Sequence, residues 1–167
     1  MNSDDIDLDQ LLSDAVTYAR DHVEQGGLPF VGVVVTTSGQ VSAYGVNEVR
    51  HTGDPTAHAE IVAIRTLAAE LGPALLEGAT LLATGEPCLL CYRFAADHGI
   101  QHVIYAVDQD TAATWGFDYR SDAAPTAAQK SLRDRAEHRP VREHLAPFAH
   151  FLRRHNLPLP TGNASAL

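Results

Sequence analysis

The chain has 167 residues and a formal net charge of -9, with 12 Lys and Arg against 21 Asp and Glu. A chain of this size can bury a core as one domain without disulfide support, and its acidity argues against a large, salt-sensitive contact with nucleic acid phosphates. No apolar stretch approaches the roughly 20 residues of a membrane helix, and the acidic residues 1–7 do not resemble a signal peptide. We therefore expect a soluble, cytoplasmic protein with no membrane partner.

The first two thirds of the chain predict helices and strands in alternation. Apolar residues at helical spacing over residues 7–25 predict an amphipathic first helix. Residues 30–36 and 40–47, joined by a Ser-Gly turn, predict a β-hairpin. The segments that follow are a loop over 48–55, a helix over 56–70, a strand over 80–83, a helix over 88–98 and a strand over 102–107. This order favours a three-layer α/β sandwich with a mixed sheet.

The C-terminal part of the chain differs from the rest in charge. Eight of the 12 basic residues lie from Arg120 onward, where only four acidic residues occur. The predicted segments are an irregular stretch over 111–125, helices over 126–138 and 141–155 with a break at Pro147, and an extended or disordered end from Leu157 onward. The basic residues either cover solvated helix faces or pack across an acidic surface of the same chain or of a partner.

The only two cysteines, Cys88 and Cys91, stand in a Pro-Cys-x-x-Cys motif. Pro87 suits the first position of a helix, so the cysteines would lie one turn apart on one face, near the positive end of the helix dipole. That environment favours the thiolate, which serves equally in a metal site and in a redox pair. The motif alone leaves both alternatives open.

His58 favours the metal alternative. If its helix faces the cysteine helix, one histidine and two cysteines make a three-ligand zinc site whose fourth position is left for water, as in catalytic sites. Glu60 lies at the start of the same helix but points in another direction, so it can exchange a proton with that water without being a ligand. The sequence thus predicts one zinc ion bound by His58, Cys88 and Cys91, with Glu60 as the catalytic residue of a hydrolase.

With these motifs the chain resembles the cytidine deaminase superfamily, in the branch of guanine deaminases and transfer-RNA adenosine deaminases, over roughly residues 8–120. The matching residues are Pro29-Phe30, Asn47, Pro55-Thr56-Ala57-His58-Ala59-Glu60, Glu86-Pro87-Cys88-Leu89-Leu90-Cys91 and Trp115-Gly116-Phe117-Asp118. The resemblance implies a single deaminase domain over residues 1–167 with a mixed five-stranded sheet. It also implies hydrolytic deamination of a small amino-substituted heterocycle, with a free purine such as guanine or a guanine-like analogue as substrate.

The resemblance further implies roles for several residues around the zinc. Asn47 would hydrogen-bond the base, Phe30 would stack on it or line the pocket, and the backbone N–H of Ala59 would meet a ring carbonyl. Without the resemblance, Asn47 would be interpreted as a turn residue and Phe30 as a core aromatic. The family also suggests a homodimer, in which a C-terminal helical segment, about 126–156, closes a neighbouring subunit's site.

Two positions depart from the guanine deaminase pattern. Asp97 stands where those enzymes carry an aromatic residue, and Tyr119 stands where they carry a second acid after Gly-Phe-Asp. If both bind substrate, the hydrogen-bonding edge of the substrate need not be that of guanine. Otherwise Asp97 is a solvated residue at a helix end, and Tyr119 is a surface or interface aromatic.

Three other functions remain open at this point: a deaminase of an aminopyrimidine or nucleoside of the cytosine type, a transfer-RNA adenosine deaminase, and an inactive zinc-stabilised binding module. The overall acidity disfavours a transfer-RNA substrate. A purely structural zinc site would have no use for Glu60 as a general base.

Overall fold

The computed structural model describes residues 5–162, and its centre is a five-stranded mixed sheet between two layers of helices. The strands are β1 (Val31–Val35), β2 (Gly45–Val46), β3 (Thr80–Gly85), β4 (His102–Val107) and β5 (Glu137–His138), in the spatial order β2-β1-β3-β4-β5. The helices are α1 (Leu8–Glu24), α2 (Val49–Thr52), α3 (Ala59–Leu71), α4 (Leu89–Asp97), α5 (Gln109–Thr114), α6 (Ala127–Asp134) and α7 (Ala146–Arg154), with a 3-10 helix at Pro73–Leu76. β1 is antiparallel to β2 and β3, whereas β3, β4 and β5 are parallel. The predicted α/β/α sandwich is confirmed.

The sheet separates two apolar layers, and the valines of β1 alternate between them. Val33 and Val35 face α1, where they pack with Leu12 and Val16. Val34 faces the opposite layer, which α3, α4 and α6 build. Successive side chains of a strand point to opposite faces. The sequence of a strand that is covered on both faces is therefore a continuous run of apolar residues.

Two glycines let α3 lie directly on the edge of the sheet. A Cβ atom at Gly45 would stand 2.2 Å from the carbonyl oxygen of Ala59, and one at Gly32 would stand 2.9 Å from the Cα of Glu60. Both contacts are with the first turn of α3, so even a methyl group would push the start of this helix away. The glycines thus fix the height of Glu60 above the strands.

The predicted hairpin is present, but its second strand is shorter than expected. β2 covers only Gly45–Val46, and Val41 forms an isolated bridge with Val35. Between them the Ser42 hydroxyl accepts the N–H of Val34 at 2.9 Å, while the Ser42 N–H donates to the Val34 carbonyl. The side chain therefore replaces a strand residue as acceptor and interrupts the regular ladder.

Several segment boundaries differ from the predictions for local reasons. The predicted loop over 48–55 contains the short helix α2, and the predicted irregular stretch over 111–125 begins inside α5. Thr126 and Gln129 form a capping box that starts α6 as expected. The helix predicted to reach residue 138 stops at Asp134, because residues 137–138 instead pair with β4 as the fifth strand.

Prolines 87 and 147 also occupy positions other than those predicted. Pro147 lies in the first turn of α7, where its missing N–H costs no hydrogen bond, so it begins the helix that it was expected to break. Pro87 precedes the cap of α4, since Cys88 is the N-cap and the helix begins at Leu89. No helix or strand includes residues 157–162, in agreement with the prediction for the C-terminal end, and residues 163–167 lie outside the described part, as do residues 1–4.

The basic C-terminal part packs across the acidic first helix of the same chain. Arg139 donates to Asp9 at 2.9 Å, and both His150 and Arg154 approach Glu24 at the other end of α1. These contacts support the second interpretation of the charge distribution, with the acidic surface supplied by the chain itself. Among the described residues, no helix has the length and apolar character needed to cross a membrane.

Candidate active site

The three predicted metal ligands come from the N-terminal ends of two helices. His58 is the N-cap of α3 and Cys88 is the N-cap of α4, both with extended backbone conformation. Cys91 lies one turn further along α4 and is buried. A cap residue projects its side chain past the first turn of its helix, so the two caps can meet although 30 residues separate them.

The ligand atoms are spaced as a zinc ion requires. His58 Nδ1 lies 3.4 Å from Cys88 Sγ and 3.5 Å from Cys91 Sγ, and the two sulfurs are 3.5 Å apart. Atoms bonded to a tetrahedral zinc at 2.0–2.3 Å stand roughly 3.5–3.8 Å from one another. In the described part of the chain, these residues are also the only group of three or more metal-binding side chains close enough to share an ion. Donor chemistry and spacing therefore both fit zinc.

The electrostatics of the cluster favour a thiolate at Cys88. Hydrogen bonds with Cys91 and with His58 lower the pKa of Cys88 to about 4, against the opposing effect of burial. Conversely, the hydrogen bond to Cys88 and burial raise the pKa of Cys91, and the bond to Cys88 raises the pKa of His58. These shifts favour a thiolate at Cys88 and a thiol at Cys91, whose proton a bound cation would displace.

Glu60 lies beside the ligands in the first turn of α3. Its Oε2 accepts a hydrogen bond from Cys91 Sγ at 3.4 Å, and the residue is only 6% exposed. Burial, reinforced by the negative charge of Cys88, raises the pKa of Glu60 to about 7. A carboxyl group with that pKa can both accept and return a proton near neutral pH.

A cavity of about 370 Å³ opens over this cluster. It is wide enough for a small heterocycle and combines the ligand cluster with an apolar wall. Its lining consists of Leu28, Phe30, Asn47, His58, Ala59, Glu60, Glu86, Cys88, Gly116, Phe117, Asp118 and Tyr119.

Comparison with known families agrees with this geometry. Residues 6–107 match the model of the cytidine and deoxycytidylate deaminase zinc-binding region, which covers more than half of the chain. The chain belongs to this zinc-dependent deaminase family.

Individual relatives place the chain more closely within the family. It is 36% identical to a guanine deaminase of Bacillus subtilis over 145 residues, which cover 82% of this chain and 88% of that enzyme. A crystal structure of a guanine deaminase from the same organism covers 96% of this chain at a TM-score of 0.63, with 29% identity and 99% of its own length. A tRNA(Ile)-lysidine synthase of Deinococcus deserti is 34% identical over 109 residues, 65% of this chain, but the match spans only 20% of that longer protein.

One wall of the cavity is an aromatic cluster. The ring of Phe30 makes edge contacts with Phe117, Tyr119 and Phe148, with centroids 5.3–5.8 Å apart. Thr84 fixes the backbone on both sides of Phe30, because its hydroxyl accepts from the N–H of residue 31 and donates to the carbonyl of residue 29. Phe30 is therefore a core aromatic and a cavity residue at once, so the two interpretations of it were not exclusive.

The structure also brings Asn47, Ala59 and Tyr119 to the cavity, while their binding of substrate stays a prediction. Asn47 accepts the N–H of Val49 through Oδ1 at 3.2 Å, so it both shapes the turn and lines the cavity. Ala59 is the first residue of α3, whose N–H has no acceptor within the helix. Tyr119 donates its hydroxyl to the backbone carbonyl of Glu86 at 2.7 Å, which leaves mainly its ring facing the cavity.

Asp97 is the predicted substrate residue that the structure does not bring to the cavity. It is the last residue of α4, its side chain is 58% exposed, and it faces Arg93 one turn earlier at 3.6 Å. A helix of nine residues carries its two ends too far apart for both to reach one small site. The alternative interpretation, a solvated residue at a helix end, describes Asp97 in this structure.

Sequence reasoning missed five residues of the lining, which are Leu28, Glu86, Gly116, Phe117 and Asp118. All of them except Leu28 stood in motifs that indicated the family, but no role was assigned to them. Asp118 is held by Arg120 through two hydrogen bonds of 2.9 and 2.7 Å, and these bonds lower its pKa. Leu28 carried no signal, because a single leucine before a proline has no characteristic pattern.

Proposed function

We propose that this protein is a zinc-dependent hydrolase that removes the amino group from a free purine base such as guanine or a guanine-like analogue. The observation that carries the proposal is the meeting of His58, Cys88 and Cys91 beside the buried carboxyl of Glu60 inside a cavity. The B. subtilis guanine deaminase, matched over most of both chains, supports the choice of guanine among the possible bases.

The chemistry divides between the metal site and Glu60. His58, Cys88 and Cys91 would hold the zinc, which would supply a Lewis acid and lower the pKa of water. Glu60 accepts a proton at its carboxylate, passes it to the ring nitrogen next to the amino-bearing carbon, and protonates the departing amine with a second proton from the same water. The balance is one water consumed and one ammonia released, with a carbonyl in place of the amino group.

The remaining cavity residues orient the base. The amide of Asn47 and the N–H of Ala59 can hydrogen-bond polar atoms of the ring edge, and the ring of Phe30 offers an aromatic surface. Tyr119 contributes its ring to the same wall. Asp97 has no place in this arrangement, because its side chain lies outside the cavity.

The decisive experiment measures ammonia release by the zinc-loaded protein from guanine, other aminopurines, cytosine, cytidine, pterins and aminotriazines. We expect guanine or a close analogue to give the highest kcat/KM. Turnover of cytosine or a nucleoside with no turnover of purine bases would reassign the substrate class. Full zinc occupancy with no ammonia from any compound would instead indicate a binding module without activity.

A transfer-RNA substrate is a poorer match to the charges around the cavity. Arg120, two residues beyond Asp118, is engaged by Asp118 and also donates to Asp110 at 3.0 Å. A phosphate would have to displace these carboxylates. Retention of transfer RNA that weakens with salt would contradict this expectation.

Membership of the family also suggests the domain organisation, the location and the oligomeric state of the protein. We propose a single deaminase domain over residues 1–167 that works as a cytoplasmic homodimer in purine metabolism. Free cysteines as metal ligands suit a reducing compartment. The C-terminal segment, about 126–156, already contacts the cavity wall within one chain, since Phe148 packs on Phe30, and light scattering of the zinc-loaded protein will show whether it also joins two chains.

A further inference from the structure

One continuous segment builds much of the cavity wall. Residues 109–119, here called the wall segment, begin with α5 and end with four residues that line the cavity, Gly116 to Tyr119. The segment contains none of the zinc ligands, so something must fix its position relative to them.

Both ends of the wall segment bind the same residue, Glu86. At one end, the backbone N–H of Gln109 donates to Glu86 Oε2 at 2.9 Å. At the other end, the hydroxyl of Tyr119 donates to the Glu86 carbonyl at 2.7 Å. Burial raises the pKa of Tyr119, which keeps this hydroxyl protonated as a donor.

Glu86 is itself fixed on the zinc side of the cavity. Its N–H donates to the carbonyl of Val107 at 2.7 Å, which prolongs the pairing of β3 with β4. The side chain of Gln109 donates to the carbonyl of Pro87 at 2.9 Å, directly before the ligand Cys88. Glu86 and Gln109 thus form a reciprocal pair that joins the ligand loop to the start of α5.

The carboxylate of Glu86 is not a general surface charge. The residue is only 9% exposed, and its Oε1 lies 3.5 Å from the hydroxyl of Tyr92 and 3.9 Å from Nε of Arg133. A buried carboxylate is retained where its hydrogen bonds are needed, since burial without them is costly. Removal of the acceptor would leave the N–H of Gln109 without its partner.

We infer that Glu86 is a positioning residue that ties both ends of the wall segment to the zinc-ligand loop and thereby sets the affinity for substrate. Glu86 is not one of the metal-binding residues, and its carboxylate faces Gln109, Tyr92 and Arg133, so its effect should fall on KM rather than on kcat. This inference rests on the proposed function for its kinetic readout, but the geometry of the segment can be tested without any substrate.

The kinetic test compares Glu86→Ala with Glu86→Gln in zinc-loaded protein and with guanine as substrate. Loss of the acceptor in Glu86→Ala should raise KM at least about tenfold, with kcat within about threefold, because a displaced wall loses contacts with the bound base while the zinc ligands and Glu60 stay in place. The amide oxygen of Glu86→Gln can still accept from Gln109, so KM should return to within about threefold of the wild type. Asp7→Ala removes the cap of α1, far from the cavity, and should lower the melting temperature without a change in KM.

A readout without substrate separates this inference from the proposed function. Hydrogen–deuterium exchange of zinc-loaded Glu86→Ala should accelerate in peptides that cover residues 109–119 and stay unchanged in α3, with one zinc per chain retained. If no base is deaminated but exchange accelerates as described, the proposed substrate is wrong and the positioning role stands. Unchanged exchange in the wall segment, or loss of kcat with unchanged KM, would overturn the positioning role.

Tyr119→Phe tests the same connection from its other end and is useful if Glu86→Ala does not fold. The substitution keeps the ring but removes the hydroxyl that donates to Glu86. Exchange should accelerate at the end of the wall segment near residue 119, with a smaller rise in KM than in Glu86→Ala. No change in either quantity would show that this bond does not position the wall.

Discussion

The cavity has two halves that are built in different ways. The zinc half consists of His58, Glu60, Cys88 and Cys91, which stand in two short motifs at the starts of α3 and α4. The wall half draws on residues 28–30, on the wall segment 109–119 and, behind them, on α7. The chemistry therefore depends on local motifs, whereas substrate recognition depends on packing between distant parts of the chain.

The largest expected effect is the loss of a metal ligand. His58→Ala, Cys88→Ala or Cys91→Ala should leave less than about 0.1 zinc per chain and no measurable turnover, since only two protein ligands would remain. Elemental analysis after dialysis measures the occupancy. His51→Ala, an exposed change in the short helix α2, serves as the control and should keep its zinc. Full occupancy in any ligand variant would remove that residue from the site.

Glu60→Gln should separate catalysis from metal binding within the zinc half. The amide keeps the shape of the side chain but cannot carry the proton, so kcat should fall by about 10³-fold with zinc retained. Steady-state kinetics with metal analysis checks this result. Glu70→Gln, an exposed change on the same helix, should leave both quantities unaltered. Substantial turnover by Glu60→Gln would exclude the assigned role.

Gly45→Ala tests whether the zinc half depends on the sheet beneath it. The added methyl group would meet the carbonyl of Ala59 at 2.2 Å, so we expect a loss of about 3 kcal/mol of unfolding free energy. Gly53→Ala is the control: its φ of 74° strains an alanine by about 1 kcal/mol, but no atom stands in the way. Urea unfolding of both variants gives the comparison, and equal losses would mean that α3 can shift freely.

Phe30→Leu should act on the wall half alone. Loss of the edge contacts with Phe117, Tyr119 and Phe148 weakens the aromatic surface, so KM should rise about tenfold while zinc content and kcat change little. Phe94→Leu, on α4 but outside the cavity lining, controls for the loss of an aromatic ring in general. A fall in kcat without a change in KM would contradict the assignment of catalysis to the zinc half and of substrate binding to the wall half.

The smallest expected effect concerns the loop that precedes His58 in the chain. Asp54 accepts from the hydroxyl and N–H of Thr56 and from Arg65, and the bonds with Thr56 lower its pKa to about 2 from 3.8. A lowered pKa stabilises the fold above pH 4, and the contribution disappears as the pH falls toward 2. Asp54→Asn should therefore shift the urea midpoint slightly at pH 6 and by about half as much at pH 3. A shift that grows on acidification would contradict this assignment.

Prediction from sequence succeeded where function and local structure coincide. The metal-binding group His58, Cys88 and Cys91 was found because a ligand type, a spacing and a helix start occur together in a few residues, and the role of Glu60 stays a prediction. The order of layers was confirmed because the valine run of β1 and the apolar periodicity of α1 reflect burial directly. Boundaries failed where a side chain or a tertiary partner intervened, as at Ser42 in the hairpin and at β5, where two exposed residues join the sheet only because β4 is there.

The limit of prediction from sequence is clearest at Asp97 and at the contact between Glu86 and Tyr119. By family position Asp97 was expected in the cavity, but nine residues of helix place it at the exposed end of α4. Glu86 stood in the motif without a role until its bonds to Gln109 and Tyr119, 23 and 33 residues away, became visible.

The sequence by itself indicated the zinc ligands and the class of reaction and predicted Glu60 as the general base, because these follow from residue types at short spacings within two motifs. Only the tertiary structure decided which residues form the wall, since that depends on how strands, α5 and α7 pack together. The physical reason is range: the spacing within each motif is encoded in about one helical turn, whereas the meeting of His58 with the cysteines and the closing of the cavity depend on packing between residues that are distant in the chain.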